Sequence, residues 1–328
     1  MSKLRLGIAG VGKHGSRYAK HAALDVPEID LVAVSRRDTV KGREIADLYG
    51  CEFTPDALEL VRRTDIDAVV LVTVPALLED LVAAATATGK RLIVEKPVAP
   101  SSETGLRILR RIEGAGTYCL AGHTLRFNRV VERMRELLPT LGRIDSLVFS
   151  QHFPPQLDLE WLDDPMCSGG GNVLHTGVHC FDLIRHLTGL EPEHVSCVIR
   201  RVYTKRTEDN FVATLALAGS DALATVACSR TTRARNGLIE ITGEHGQLVG
   251  DHVLNRLYRL GPGGREDLEL APPAHTVLEA LRALVDDANA GRAPRASYRD
   301  GLSAVAIAEA CYLSAESGTA TPVTTLAR

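Results

Sequence analysis

Apolar positions follow two textures along this chain. Leu4–Ala9, Leu31–Val34, Cys51–Phe53, Ala68–Val72, Arg91–Val94 and Tyr118–Ala121 are short, mostly unbroken apolar runs, the pattern of strands covered on both faces. Between them Ser16–Leu24, Asp38–Tyr49, Asp56–Arg63, Ala76–Thr88 and Ser101–Glu113 have helical texture, and Gly50 and Gly89 supply stops. Strands alternating with helices at this rhythm predict a doubly wound parallel sheet. From Arg143 strands follow strands: Ile144–Ser150, Val195–Tyr203, Phe211–Leu217, Leu223–Cys228, Leu238–Thr242 and Gln247–Val249. That run predicts a large, mainly antiparallel open sheet, one face left for helices or a partner subunit. Helices over Thr276–Ala290 and Asp300–Ser317, stopped by Gly291 and Gly318, close the chain. The expected class is α/β in two domains, 1–122 and 123–328, with the C-terminal helices able to return to the first domain.

Composition narrows the function. With 328 residues and 45% hydrophobic content the chain can bury a large core. A formal net charge of -3 gives no reason to expect nucleic acid or an acidic membrane surface. The longest apolar run, Ala68–Leu78, is too short to span a bilayer and is broken by Pro75. The first strand begins at Leu4, which leaves no room for a signal peptide. Seven dispersed cysteines without a CxxC pair suit a reduced, cytoplasmic compartment. A small-molecule substrate is the expected partner.

Three stretches carry chemistry. Gly10-Val11-Gly12-Lys13-His14-Gly15 follows a strand and opens a helix. In that context the first glycine permits the tight turn, the second lets backbone N–H groups approach a pyrophosphate, and the third allows close helix–strand packing. The second strand ends in Ser35-Arg36-Arg37 where an acidic residue would favour NAD. Arginine forks a phosphate, so NADP(H) is favoured, with NAD(H) open if both arginines lie on the surface and Asp38 takes the ribose. Arg91–Val94 runs into Glu95-Lys96-Pro97, and Pro97 biases Lys96 toward an extended conformation at the strand's carboxyl end. A partly desolvated lysine there can pass a proton to or from a substrate oxygen, whereas the plainer alternative is a surface lysine paired with Glu95. Thr73-Val74-Pro75 ends another strand at the same edge.

The third stretch runs from Ser168 to Gly189. Its three glycines, Gly169-Gly170-Gly171, read as a flexible entry to a helix on which His175, His179 and Asp182 fall at i, i+4 and i+7. A zinc pair, structural histidines and an acid/base pair all fit that spacing; no further ligand set accompanies the pair, so no metal is assigned. Imidazoles that titrate near neutral pH suit proton transfer best.

With these stretches in hand the chain resembles the Gfo/Idh/MocA family of nicotinamide-dependent oxidoreductases, nearly end to end. The resemblance rests on the Gly10–Gly15 turn, Glu95-Lys96-Pro97, Gly122-His123-Thr124-Leu125-Arg126-Phe127-Asn128, the 169–189 stretch, and Tyr298–Leu302 leading to Ala310–Ala315. It implies a Rossmann domain followed by an α/β domain whose open sheet often packs against another subunit, giving a homodimer or homotetramer. It implies oxidation of a secondary alcohol of a sugar or cyclitol, or the reverse reduction. Lys96 looks like the lysine that contacts substrate and nicotinamide, and His179 like the acid/base; His175 stands where family dehydrogenases usually carry aspartate, so the two histidines share the candidate role. The cofactor set is then Gly10, Val11, Gly12, Lys13, His14, Gly15, Ser35, Arg36, Arg37, Thr73, Val74, Pro75, Glu95 and Lys96, and the substrate set is Lys96, Arg126, Trp161, His175 and His179. Many members read T-P-N-x-x-H where this chain has Ala76 and Glu79. Relatives of the same fold also include NAD-dependent glycosidases, dihydrodiol or bile-pigment reductases, and nucleotide-sensing regulators.

Overall fold

A computed structural model describes residues 2–326. It divides into two compact units, Met1–Thr124 with His275–Leu302, and Leu125–Ala274 with Ser303–Arg328. In the first unit the order is β1 (Leu4–Ala9), α1 (Gly15–Leu24), β2 (Ile29–Ser35), α2 (Thr39–Tyr49), β3 (Glu52–Thr54), α3 (Ala57–Arg62), β4 (Ala68–Leu71), α4 (Leu78–Ala87), β5 (Arg91–Val94), α5 (Ser102–Gly114) and β6 (Cys119–Ala121). All six strands run parallel in the order β3-β2-β1-β4-β5-β6. Leu6, Ile8, Val34, Val69, Val70, Leu92 and Ile93 are buried, which is why these strands read as unbroken apolar runs. Because the sheet is parallel, the residues that follow β1, β2, β4 and β5 emerge at one edge. The strand order reverses between β1 and β4, the position at which open α/β sheets bind ligands.

The second unit continues with α6 (Arg129–Leu137), β7 (Ile144–His152), α7 (Pro165–Ser168), α8 (Val178–Thr188), β8 (Pro192–Arg200), β9 (Asn210–Leu217), β10 (Leu223–Ser229), β11 (Asn236–Gly243), β12 (Gly246–Asp251), β13 (Arg256–Gly261) and β14 (Gly264–Asp267). Helix α9 (Thr276–Asn289) returns to the first unit, α10 (Tyr298–Ser317) begins there and continues in the second, and β15 (Thr321–Pro322) is the last element. Nine strands form one sheet in the order β14-β13-β12-β11-β7-β10-β9-β8-β15, antiparallel except for β7 with β10. Alternation along β9 and β10 buries one face, which includes Phe149, Phe211 and Val226, and Phe211 meets Phe181 of α8 at 6.3 Å between ring centroids. The opposite face keeps Val198, Val212 and Leu223 exposed.

Three expectations change. Residues 129–137 form an amphipathic helix whose Val130, Val131 and Met134 are buried, and β13 and β14 extend the sheet beyond the last expected strand. Between Asn172 and Val178 the backbone is a π-helix, Val173–Gly177, rather than a uniform α-helix. No helix among the described residues is long and apolar enough to cross a membrane.

Candidate active site

The glycine turn is built by backbone demands. Gly10 has φ +103, and a Cβ there would lie 2.3 Å from Val72 O. A Cβ on Gly15 would lie 2.0 Å from Gly10 O, so only hydrogen lets α1 start this close to the strand. Ser35 O ties the turn to β2 by accepting from Gly10 N (3.1 Å) and Val11 N (2.9 Å). Gly12 differs from both: a Cβ there would meet no atom within 4 Å. Protein packing therefore does not require a glycine at 12, where a Cβ would enter open space. Helix α1 starts without a side-chain cap hydrogen bond; Ser16 N and Arg17 N donate back to Gly12 O and His14 O at 2.9 and 3.0 Å, and the positive end of the helix faces the turn. These features fit a dinucleotide pyrophosphate.

The other cofactor-set residues of this unit surround that edge. Arg36 Nη1 donates to Val11 O at 3.0 Å, which holds the guanidinium over the turn and leaves its other donors for a phosphate. Arg37 and Lys13 are exposed, and Ser35 is buried. Asp38 caps α2 by accepting from Lys41 N at 3.1 Å, a local task for the carboxylate that meets the ribose in the NAD alternative. Thr73 and Val74 lead into a 3₁₀ turn, Pro75–Leu77. Glu79 is forked by Arg107 Nε and Nη2 at 2.8 and 2.9 Å.

Glu95 is buried and turns inward. It accepts from Tyr18 OH at 2.7 Å, lies 2.9 Å from His14 Nε2, and accepts from Lys96 N at 3.0 Å. Burial would raise its pKa, but His14, Lys96 and Tyr18 outweigh that cost and hold it at about 2. The carboxylate thus locks α1 to the end of β5 and fixes the backbone of Lys96, whose side chain is partly exposed. A Cβ on Gly122 would lie 2.8 Å from Glu95 Oε2, so that glycine makes room for the lock. Tyr18 was silent in the sequence because a helical tyrosine gives no sign of a carboxylate 77 residues away.

In the second unit the three glycines are not a flexible entry. Gly169 ends α7 at φ +76; a Cβ on Gly170 would lie 2.3 Å from Tyr312 Oη, and one on Gly171 2.1 Å from Glu208 O. Gly170 and Gly171 are close-packing positions, and Gly169 supplies the left-handed cap. Glu208 Oε1 accepts from Val173 N (2.8 Å) and from Tyr312 OH (2.9 Å), and Gly171 N donates to Tyr312 Oη (3.0 Å). Burial raises the pKa of Glu208, opposed by the Val173 amide, Tyr312 and Arg230. Glu208 and Tyr312 lie 35 and 139 residues from Val173, and no periodic pattern signalled either.

The π-turn carries His175, buried, with Nε2 3.0 Å from Ser168 O and its ring edge-on to Trp161 at 5.5 Å between centroids. His179 follows on α8 and is partly exposed. A π-turn takes more residues per turn than an α-helix, so the i, i+4 face argument does not carry through 173–177, although such turns gather at functional sites. Asp182 is committed to Arg126 in a buried fork, Nε–Oδ2 2.9 Å and Nη2–Oδ1 2.6 Å. Among the described residues no cluster of three or more His, Cys, Asp or Glu is arranged to hold a metal ion.

Comparison with known proteins bears on the family and the fold. A family model described as an oxidoreductase family with an NAD-binding Rossmann fold matches residues 4–123, and that of the GFO/IDH/MocA C-terminal domain matches residues 132–249. Inositol 2-dehydrogenase 4 of Saccharopolyspora erythraea is 29% identical over 337 residues, spanning 98% of this chain and 96% of that protein. An inositol 2-dehydrogenase of Rhizobium meliloti is 25% identical, spanning 95% and 96%. The crystal structure of aldose-aldose oxidoreductase from Caulobacter crescentus shares the fold, with a TM-score of 0.89, 21% identity, and 98% and 100% of the two chains covered.

Proposed function

The chain belongs to the Gfo/Idh/MocA family of oxidoreductases, and from that premise we propose that it moves hydride between NADP(H) and a secondary alcohol or ketone carbon of a sugar, cyclitol or related small molecule. It is an NAD(P)-dependent dehydrogenase acting on CH–OH groups. The nicotinamide, when bound, supplies the hydride acceptor or donor. The chain's own residues supply binding, orientation and proton transfer. In this reading residues 1–122 hold the dinucleotide and 123–328 bind substrate and a partner subunit. The 10–15 turn and the start of α1 cradle the pyrophosphate, Thr73, Val74 and Pro75 shape the nicotinamide end, and Ser35 and Arg36 meet the 2′-phosphate. Lys96 stabilises the alkoxide-like oxygen, and His179 or His175 takes the hydroxyl proton. Trp161 walls the pocket beside His175, while Arg126 acts through Asp182 by steadying α8.

One observation carries the reading: the Gly10–Gly15 turn, open at Gly12, shares its sheet edge with a lysine whose backbone is fixed by a buried carboxylate. The exposed sheet face supports a homodimer or homotetramer. Val198 and Val212 are paired across it, 55% and 48% exposed, and Leu223 on the same face is 60% exposed. No disulfide links the seven cysteines, which supports a cytoplasmic setting. Fluorescence titration with NADPH and NADH tests the cofactor assignment. NADPH binds more tightly, and Arg36→Ala weakens NADPH by about 10- to 100-fold while moving NADH little. Tighter NADH binding by the native protein overturns the NADP(H) assignment.

A further inference from the structure

Arg230, just beyond β10, stands apart from the other inward-facing arginines of the second unit. Arg126 is forked by Asp182, and Arg185 by Glu191 at 2.5 and 3.0 Å. Each of those cations is neutralised by a carboxylate in bidentate geometry. Arg230 is partly buried, and its Nε and Nη2 both point at a single neutral acceptor, Thr176 Oγ1, at 3.3 and 3.2 Å. Among the described residues no carboxylate pairs with it; Glu208, held by Val173 N and Tyr312, acts on it only through space. A guanidinium offers five donors, and one hydroxyl satisfies few of them. Leaving such a charge half out of water without an ion pair is costly unless something anionic completes it. Burial accordingly lowers the pKa of Arg230 from its ordinary value.

Its position ties it to the candidate chemistry. Thr176 lies in the π-turn directly after His175 and three residues before His179. We propose that Arg230 is the receptor for an anionic group on the substrate, so that the enzyme prefers sugar or cyclitol carboxylates or phosphates to neutral polyols. This rests on the dehydrogenase reading above and narrows its substrate class. The side-chain fork suits a planar carboxylate or two phosphate oxygens, and Thr176 holds the guanidinium beside the histidine-bearing turn.

The test uses the full-length protein with D-glucose, D-glucuronate and D-glucose 6-phosphate as probes, read by calorimetric binding in the presence of cofactor and by nicotinamide absorbance. The native protein binds at least one anionic probe more tightly than glucose, and glucuronate against phosphate shows which anion fits. In Arg230→Gln the affinity ratio of that anion to glucose falls by about 10- to 100-fold, and in Arg230→Lys, which keeps charge but loses the fork, by less. The lysine variant carries the test if the glutamine variant does not fold. No anionic preference in the native protein, or an equal loss for charged and neutral probes, overturns the proposal. Anion binding that depends on Arg230 without any change in absorbance counts instead against the dehydrogenase reading, so the two failures are distinguishable.

Discussion

The dinucleotide turn and the histidine-bearing turn are both sharp entries into helices, yet they are held in opposite ways. The 10–15 turn is fixed by backbone: Ser35 O takes two amides, and the absence of Cβ atoms at Gly10 and Gly15 allows the approach. The 168–179 segment is fixed by side chains brought from afar, with Glu208 and Tyr312 packed on its glycines and Arg126–Asp182 anchoring the helix beyond. A backbone-built site tolerates side-chain changes but no added Cβ at its contacts. A site held by side chains is vulnerable to single truncations and to pH.

The largest effect should follow from breaking the buried fork of the second unit. Asp182→Asn leaves Arg126 enclosed beside a neutral amide and should cost about 3–5 kcal/mol in chemical denaturation, whereas Arg126→Met combined with Asp182→Leu should recover most of it. If the single variant loses less than the double one, the fork is not what anchors α8. In the first unit, Gly10→Ala should cost about 3 kcal/mol from its positive φ and the contact with Val72 O. Gly12→Ala should change stability by less than about 1 kcal/mol and instead weaken dinucleotide binding. Equal destabilisation by the two alanines would remove the distinction between a packing glycine and a ligand-facing one.

A smaller effect comes from pH. His252 in the second unit is buried, packed under Gly237 with Nε2 3.2 Å from Gln151 Nε2, and burial lowers its pKa from 6.5 to about 4. The unfolded chain binds that proton first, so stability is full above about 6.5 and falls as pH drops toward 4, by about 2 kcal/mol at pH 5. Glu95 in the first unit has the opposite charge type and a lower window: its contribution is full above about 4.5 and is lost as pH falls toward 2. Hydrogen exchange should therefore show amides of the second unit losing protection between pH 7 and 5 while those around β5 keep theirs. Simultaneous loss in both units would contradict the separate windows, and His252→Gln should flatten the first.

Legibility in the sequence divides along the same line. Parallel strands covered on both faces write themselves as apolar runs, and a turn that needs Gly10 and Gly15 spells its own motif, so the first sheet and its ligand edge could be read directly. The second sheet was visible through alternation, but the edge strand β14 has no buried position and its neighbour β13 buries only Leu257, so neither carries a stripe to betray it. The π-turn was hidden because an inserted residue leaves the composition of a helix intact while shifting its face. Glycines are ambiguous for a related reason: at 170 and 171 the same letters that suggest freedom record crowding by Tyr312 and Glu208, partners far away in the chain. Glu95 was legible as a strand-end charge, and its inward lock on Tyr18 and His14 was not.

The most direct test of the central claim follows nicotinamide absorbance on a panel of cyclitols, neutral sugars, uronates and sugar phosphates, comparing the native protein with Lys96→Met and His179→Gln. Turnover of at least one CH–OH substrate by the native protein is expected. In the lysine variant kcat should fall by about 10²- to 10⁴-fold with dinucleotide binding retained, and in the histidine variant by a comparable factor unless His175 takes the proton. Undiminished turnover by Lys96→Met, or no redox turnover by the native protein on any member of the panel, would contradict it.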